Sequence, residues 1–166
     1  DNSVNANEWD GFVKLWNADT NVIKPAQEAT PEAINEGNVM MELAKVKNSI
    51  PVSLRRKDVV FAISPDVADA YATKLIINGA ANGLGGNANT GLVFGRYNLE
   101  VINGLPDNTI VVYQKENLAF GTGLQGDHNQ IKSELDEFRD ALKMKMVYNG
   151  GVQYANSEEI VFYQSV

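Results

Sequence analysis

Residues 30–57 read TPEAINEGNVMMELAKVKNSIPVSLRRK, and this stretch decides the fold predicted for the chain. Four of its apolar residues are spaced by four, three and four positions, which places them on one face of an α-helix: Val39, Leu43, Val46 and Ile50. The charged residues of the stretch lie mostly off that face: Glu36, Glu42, Lys45 and Lys47. A helix with one apolar face must lie against a large surface, and the rest of the chain has to supply it.

The ends of this helix are marked by local signals. Thr30 is suited to be the N-cap and Pro31 to occupy the first turn, where an N–H group is not needed. Gly37 and Asn38 interrupt the pattern, so the stretch is either one helix with a weak point or a short turn followed by a helix capped by Asn38. Pro51 ends the helix, because the residue before a proline is pushed out of the α region.

The composition is that of an ordinary globular protein, with 166 residues, 44% hydrophobic and 21% charged. The net charge of -7 argues against a module that binds nucleic acid by neutralising phosphates, although residues 55–57 form a local basic group. The chain has no cysteine, and no apolar run approaches the ~18 residues of a membrane span. Because it starts at Asp1 without an initiating Met, we expect a processed or trimmed piece of a longer protein.

Residues 1–7 are polar and are expected to be a flexible N-terminal segment. After them, four apolar residues with helical spacing predict a short amphipathic helix: Trp9, Phe12, Val13 and Trp16. Paired aromatic residues at this spacing are usually core residues. The alternative is a carbohydrate- or protein-binding module in which Trp9 and Trp16 form a stacking platform.

The middle of the chain predicts an α/β unit followed by short strands. Residues 59–63 form an apolar run typical of a strand buried on both faces, and Ser64-Pro65 is a strong helix start. Residues 78–91 are a loop rich in glycine and asparagine. Further strands are expected at the following residues: 92–94, 99–102, 109–113, 141–148, 152–154 and 160–163. The C-terminal strands are the expected partner of the long helix.

Residues 121–126 read GTGLQG, a literal G-x-G-x-x-G from Gly121 to Gly126. In a nucleotide-binding enzyme this loop follows a strand and offers its N–H groups to a pyrophosphate. Here residues 117–120 are a poor strand, and Asp127 would place a negative charge near the phosphates. A nucleotide-binding enzyme is therefore the less favoured alternative.

His128 is the only histidine, and with Asp127 and Ser133 it could suggest a hydrolase. Neighbours in sequence do not make a triad, because triad side chains converge from separate elements. The acidic residues nearby lack the spacing of zinc or EF-hand sites. We therefore predict no catalytic residue, no metal site and no cofactor, and a protein that is not an enzyme.

The order of segments resembles the C-terminal two-thirds of a tailed-phage major capsid protein of the HK97-like fold. The resemblance starts near Glu8 and includes DVVFAISPDVADAY at 58–71, LEVINGLP at 99–106, NTIVVYQKENLAFGTGL at 108–124 and KMVYNGGVQYANSEEIVFYQ at 145–164. The N-terminal arm and the extended E-loop hairpin of that family are missing.

The resemblance implies an α+β fold with two domains. A long spine helix against antiparallel strands would form the peripheral P-domain, at residues 8–57 and 141–166. A mixed α/β axial A-domain would be inserted at residues 58–140. The loop near the capsomer axis would then contain Asn78, Gly79, Asn82, Gly85, Gly86 and Asn87. The core face of the spine helix would be formed by Val39, Leu43, Val46 and Ile50.

The function that the resemblance implies is structural. The chain would be a shell protein of a tailed phage or prophage, made in the cytoplasm of a bacterial host and located in the virion. Its partners would be further copies of itself in pentamers and hexamers, and other virion proteins. No membrane and no sequence-specific nucleic acid is expected among them.

Overall fold

The computed structural model describes residues 10–27, 32–78, 92–122, 131–136, 141–146 and 150–165. Its α-helices are α1 (Phe12–Ala18), α2 (Val39–Asn48) and α3 (Pro65–Ile77). Its strands are β1 (Val60–Ile63), β2 (Leu92–Phe94), β3 (Tyr97–Val101), β4 (Thr109–Tyr113), β5 (Leu118–Thr122), β6 (Ile131–Asp136), β7 (Ala141–Met146), β8 (Gly150–Tyr154) and β9 (Val161–Gln164). The predicted α+β class is confirmed.

The central element is a mixed five-stranded sheet with the order β2-β3-β1-β4-β9. Strands β1 and β3 are parallel, with Phe61 opposite Leu99, and the other pairs are antiparallel. Strand β4 lies between β1 and β9, and all five of its residues are buried. Its continuous run of β-branched and aromatic residues suits a strand covered on both faces.

Two apolar layers cover the two faces of this sheet, because side chains alternate along each strand. On one face, helices α2 and α3 pack on residues that include Phe61, Ile110 and Val161. On the other face, helix α1 contributes Val13 and Trp16 to a second cluster. The sheet is thus the middle layer of the described fold.

The unit of β1 and α3 forms where the sequence predicted it, but Ser64 has a different task from the one expected. Its side chain makes no capping hydrogen bond to α3. Instead, the buried Ser64 Oγ accepts the Thr109 N–H at 3.2 Å and donates to the Thr109 carbonyl at 3.3 Å. The hydroxyl therefore ties the end of β1 to the start of β4 rather than satisfying the helix N-terminus.

Helix α2 is shorter than the long helix expected from residues 30–57, with ten residues and about 15 Å of length. A turn ends just before Val39, as in the second of the two alternatives. In that turn Asn35 Oδ1 accepts the Gly37 N–H at 2.8 Å, and Asn38 Oδ1 accepts the Asn35 N–H at 2.8 Å. These local bonds offer the backbone an alternative to the helix, which explains the late start. Residues 28–31, with the expected cap Thr30, lie outside the described residues.

Four strands form two separate two-stranded ribbons. Strand β5 pairs with β8, and β6 pairs with β7, both antiparallel. The expected strand at 141–148 is present as β7. Two expectations are corrected here: residues 118–120 belong to a strand although they looked unfavourable, and Gly150-Gly151 lies within β8 rather than in a turn. Each segment gains backbone hydrogen bonds from a partner distant in sequence, which outweighs a weak local preference.

The division into P- and A-domains stays a prediction, but the described packing bears on how the segments meet. Leu43 and Ile110, which the division assigns to different domains, lie in one hydrophobic cluster. Strand β9 hydrogen-bonds to β4 within the central sheet. The surface that covers α2 consequently includes β4 and α3 as well as the C-terminal strand β9.

Candidate functional site

The apolar face of α2 is fully buried. Val39, Leu43 and Val46 have no exposed surface, and Ile50 is 1% exposed. Glu42, expected on the polar side, is also buried, because its carboxylate lies 2.9 Å from the Lys45 ammonium at the edge of the helix. These residues hold the fold together and leave no surface for a ligand.

Trp16 is a core residue. It is 4% exposed, and its ring stacks on Phe12 at 5.3 Å and on Tyr113 at 6.2 Å between centroids. A buried ring cannot serve as a stacking platform for a sugar. Trp9, the other half of that hypothesis, lies outside the described residues.

The remaining motifs from the sequence are only partly described. Gly121 and Thr122 are extended residues of β5, opposite Gly151 and Gly150, and the rest of the G-x-G-x-x-G lies outside the described residues, as do Asp127 and His128. Of the predicted capsomer-axis residues, Asn78 follows the last residue of α3 and is exposed, and the others lie outside the described residues. Within the described residues, no group of three His, Asp or Glu side chains could hold a metal ion.

The described feature with most chemical character is a cleft of about 410 Å³ at the end of the sheet where β1 and β3 begin and β4 ends. We call it the basic cleft. Five cationic side chains line it, against two carboxylates, Asp58 and Glu100. The cations are Arg55, Arg56, Lys57, Arg96 and Lys115.

The tight turn between β2 and β3 places Arg96 in the basic cleft. Gly95 adopts a positive φ of 65°, which is strained for residues with a side chain, and the chain reverses there. The Arg96 guanidinium then donates to the Arg55 carbonyl and, at 2.8 Å, to the Tyr97 hydroxyl. It also lies over the Tyr97 ring, 4.8 Å from the centroid.

Two of the cleft's lysines are paired with carboxylates. Lys57 Nζ is 2.7 Å from Glu159, and Lys115 Nζ is 2.6 Å from Glu100. The hydrogen bond to Glu100, and after it the charge of that carboxylate, raises the pKa of Lys115. Both lysines therefore stay charged at neutral pH, with much of their charge compensated.

Sequence reasoning identified residues 55–57 as basic but missed Arg96 and Lys115. Each is a single cation in a loop, which carries no local signal. They join residues 55–57 only because β1 pairs in parallel with β3 and antiparallel with β4. The available signal was the buried strand that directly follows residues 55–57, since the ends of neighbouring strands meet at one edge of a sheet.

A second polar contact links distant segments on the opposite face of the sheet. The Tyr154 hydroxyl donates to Asp19 Oδ2 at 2.7 Å, joining β8 to the end of α1. Burial, followed by this hydrogen bond and the charge of Asp19, raises the pKa of Tyr154 to about 12. The pKa of Asp19 is lowered, first by the Asn21 N–H at 2.8 Å and then by Tyr154. The contact is a structural link and contains no nucleophile.

No described helix has the length and hydrophobicity needed to cross a bilayer. No family model matches the sequence, and no curated protein matches it. Solved structures do match.

The chain is similar to a chain of the satellite phage P4 procapsid structure that includes the size determination (Sid) protein, at 12% identity and a TM-score of 0.65. That match covers 94% of this chain and 52% of the other. A chain of Mycobacterium phage Che8 matches at 14% identity and a TM-score of 0.57, covering 86% of this chain and 53% of the other. A virus-like particle from Pyrococcus furiosus matches at 15% identity and a TM-score of 0.52, covering 92% and 58%.

The chain thus spans little more than half the length of the solved chains that it matches. At these identities the likeness concerns the fold alone, and the structures come from two phages and a virus-like particle rather than from enzymes. The resemblance to a phage capsid protein is confirmed at the level of the fold.

Proposed function

We propose that this chain is a structural shell protein of a tailed phage or prophage, with an HK97-like fold, that assembles with copies of itself around a genome. The observation that carries the proposal is the likeness to the P4 procapsid chain over 94% of this chain. A subunit of this kind resides in the virion, in pentamers and hexamers that other virion proteins can contact.

The described surfaces support a role in assembly better than a role in catalysis. The buried polar groups serve the fold, as Ser64 does between β1 and β4. Large apolar side chains remain exposed at several positions, with Ile76 at 69%, Leu142 at 60% and Met144 at 70%. Exposed apolar side chains of this size are common at protein–protein interfaces. A shell subunit needs such repeated contacts more than it needs a pocket, because many copies add their modest affinities.

Within this proposal the domain assignment keeps its predicted bounds, with the P-domain at residues 8–57 and 141–166 and the A-domain at 58–140. The loop after Asn78 would approach the capsomer axis. The exposed Ile76 and Ile77 at the end of α3 directly precede that loop, so they would contact the neighbouring subunit around the axis.

Negative-stain electron microscopy tests the proposal. The chain would be expressed together with any coding sequence that adjoins it in its genome, and the purified particles imaged over a range of protein and salt concentrations. We expect five- and six-membered rings or closed shells. A protein that stays monomeric under all of these conditions would contradict the proposal.

Two further assays separate the alternatives. A nucleotide-binding enzyme would show a rise in melting temperature with nucleotides, because a bound ligand adds RT ln(1 + [L]/Kd) of stability. A carbohydrate-binding module would give specific signals on a glycan array. We expect neither result.

A further inference from the structure

The basic cleft carries positive charge that the described fold does not neutralise. All three arginines of the described residues line it: Arg55, Arg56 and Arg96. None of them forms an ion pair with a carboxylate among the described residues. The whole chain has a net charge of -7, so a concentration of arginine in one place is contrary to its overall character.

Neutral acceptors hold two of these arginines in place. Arg55 donates from Nε to the Ile50 carbonyl at 3.1 Å and from Nη2 to the Asn48 carbonyl at 3.4 Å. Arg96 donates to the Arg55 carbonyl and to the Tyr97 hydroxyl. Carbonyl and hydroxyl oxygens fix the guanidinium groups without cancelling their charge. The cleft is therefore preorganised for an anion, and guanidinium groups favour carboxylates through charge-assisted hydrogen bonds.

The opposite end of the same sheet is acidic. Asn108 is the centre of this end: its N–H donates to Asp66 Oδ2 at 2.7 Å, and its Oδ1 accepts the Ile34 N–H at 2.8 Å. These two bonds bring the start of α3, the turn before β4 and residues 32–36 together. The segments carry five carboxylates, which we call the acidic end: Glu32, Glu36, Asp66, Asp69 and Asp107. None of the five forms an ion pair with a described residue.

The strand directions place the two charged regions apart. Strand β1 starts at Val60, beside the basic cleft, and ends at Ile63, beside the acidic end. Strand β4 runs the opposite way, from Thr109 at the acidic end to Tyr113, two residues before Lys115. The described fold thus has a cation-rich end and a carboxylate-rich end, separated by the length of a strand.

We propose that the basic cleft is one half of a head-to-tail interface, and that its occupant is the acidic end of a second copy of this chain. Charge complementarity between the two ends selects this partner. Because the two halves are different surfaces, the contact is heterologous, and a heterologous contact repeated with a fixed rotation closes into a ring. The inference rests on the proposed shell function and assigns it a specific contact.

Charge reversal at both ends tests the interface. The basic-end variant carries Arg56→Glu and Lys115→Glu, and the acidic-end variant carries Asp69→Lys and Asp107→Lys. All four side chains are exposed, and none of them belongs to the hydrophobic clusters. Self-association would be measured by sedimentation velocity at several salt concentrations. We expect each variant alone to associate roughly tenfold or more weakly than wild type, because like charges then face each other.

Mixing the two variants provides the decisive arm. In the mixture, each contact again joins opposite charges, so association should recover toward the wild-type level. A misfolded variant could not recover in this way. The matched control, Lys14→Glu with Lys24→Glu, makes the same change in net charge at exposed sites away from both ends and should associate like wild type.

The outcomes separate this inference from the shell proposal. If wild type forms rings and both variants form them equally well, the charged interface is wrong and the shell function stands. Weakened variants that do not recover on mixing also overturn it. If wild type never associates, both proposals fail. Retention of double-stranded DNA that Arg56→Glu abolishes, with self-association unchanged, would instead assign the cleft to nucleic acid.

Discussion

Asn108 joins three segments that are far apart in the sequence. Its side chain accepts the Ile34 N–H, its own N–H donates to Asp66, and its carbonyl accepts the Ser165 N–H at 3.0 Å. It does so with a positive φ of 57°, a conformation that asparagine tolerates better than most residues. A single polar residue thus fixes the geometry of the acidic end.

Substitution of Asn108 should separate the contribution of its backbone from that of its side chain. Asn108→Gly keeps the φ angle without strain but loses the side-chain acceptor, so we expect a loss of about 1 kcal/mol in the free energy of unfolding. Asn108→Ala adds backbone strain and should cost about 1 kcal/mol more. Urea unfolding followed by circular dichroism measures both. Equal stability of the two variants would show that φ carries no strain.

Val46 tests the buried face of α2. An aspartate there would place an unpaired charge in the core, because Val46 has no exposed surface. Val46→Asp should cost more than about 4 kcal/mol and leave the chain largely unfolded. Met41→Asp, on the exposed side of the same helix, should change stability by less than about 0.5 kcal/mol. Circular dichroism and urea midpoints compare them, and an unchanged Val46→Asp protein would rule out this packing.

Tyr154 gives stability a dependence on alkaline pH. Its pKa is about 12 in the folded protein and near 10 when the chain is unfolded. Between these values the unfolded state loses the proton first, so the contribution is complete below pH ~10 and is lost as pH rises through about 12. Tyr154→Phe should remove the last-titrating part of the tyrosinate absorbance and flatten the fall in stability. An unchanged absorbance titration would contradict the contact with Asp19.

At the scale of elements, strand β4 is the centre of the fold and the ribbon of β6 and β7 is at its periphery. Strand β4 is hydrogen-bonded on both sides and buried along its length. The ribbon pairs only with itself in the described chain, and Leu142 and Met144 on it are exposed. Two-stranded ribbons are marginally stable without packing on one face.

Amide hydrogen exchange should therefore differ between the two elements. In the dissociated protein, amides of β4 should exchange only by global unfolding, whereas those of β6 and β7 should exchange orders of magnitude faster through local opening. Mass spectrometry of proteolytic fragments measures this directly. Assembly should slow exchange in the ribbon if its exposed apolar side chains are covered by a neighbour. Equal exchange rates in both elements would contradict the assignment of the ribbon to the periphery.

At the scale of the whole molecule, the net charge of -7 opposes contact with DNA. A shell subunit with an acidic surface would limit adhesion of the genome to the inner wall, because like charges repel and few counterions are released. We expect no retention of double-stranded DNA in a filter-binding assay at low salt, where electrostatic binding is strongest. A basic DNA-binding protein is the positive control. Tight retention would contradict this view of the surface.

Much of the secondary structure could be predicted from local patterns. The run at 59–63, the pair Ser64-Pro65 and the turn at 103–108 each depend on a few adjacent residues, and β1, α3 and β4 follow them. Strand β5 could not be predicted in the same way, because residues 118–122 have a weak preference of their own. Their backbone groups are satisfied by β8, about thirty residues further along the chain.

The sequence by itself determined the class of the fold, the position of its main helices and strands, the apolar face of α2, the acidic net charge and the resemblance to a phage shell protein. These properties depend on periodicity, on capping and turn residues and on the order of segments, which are local or additive. Only the tertiary structure decided that β9 lies beside β4, that Glu42 is buried, and that Arg96 and Lys115 join residues 55–57. Strand order and register arise from contacts between distant residues, and no single segment contains the information about its neighbour.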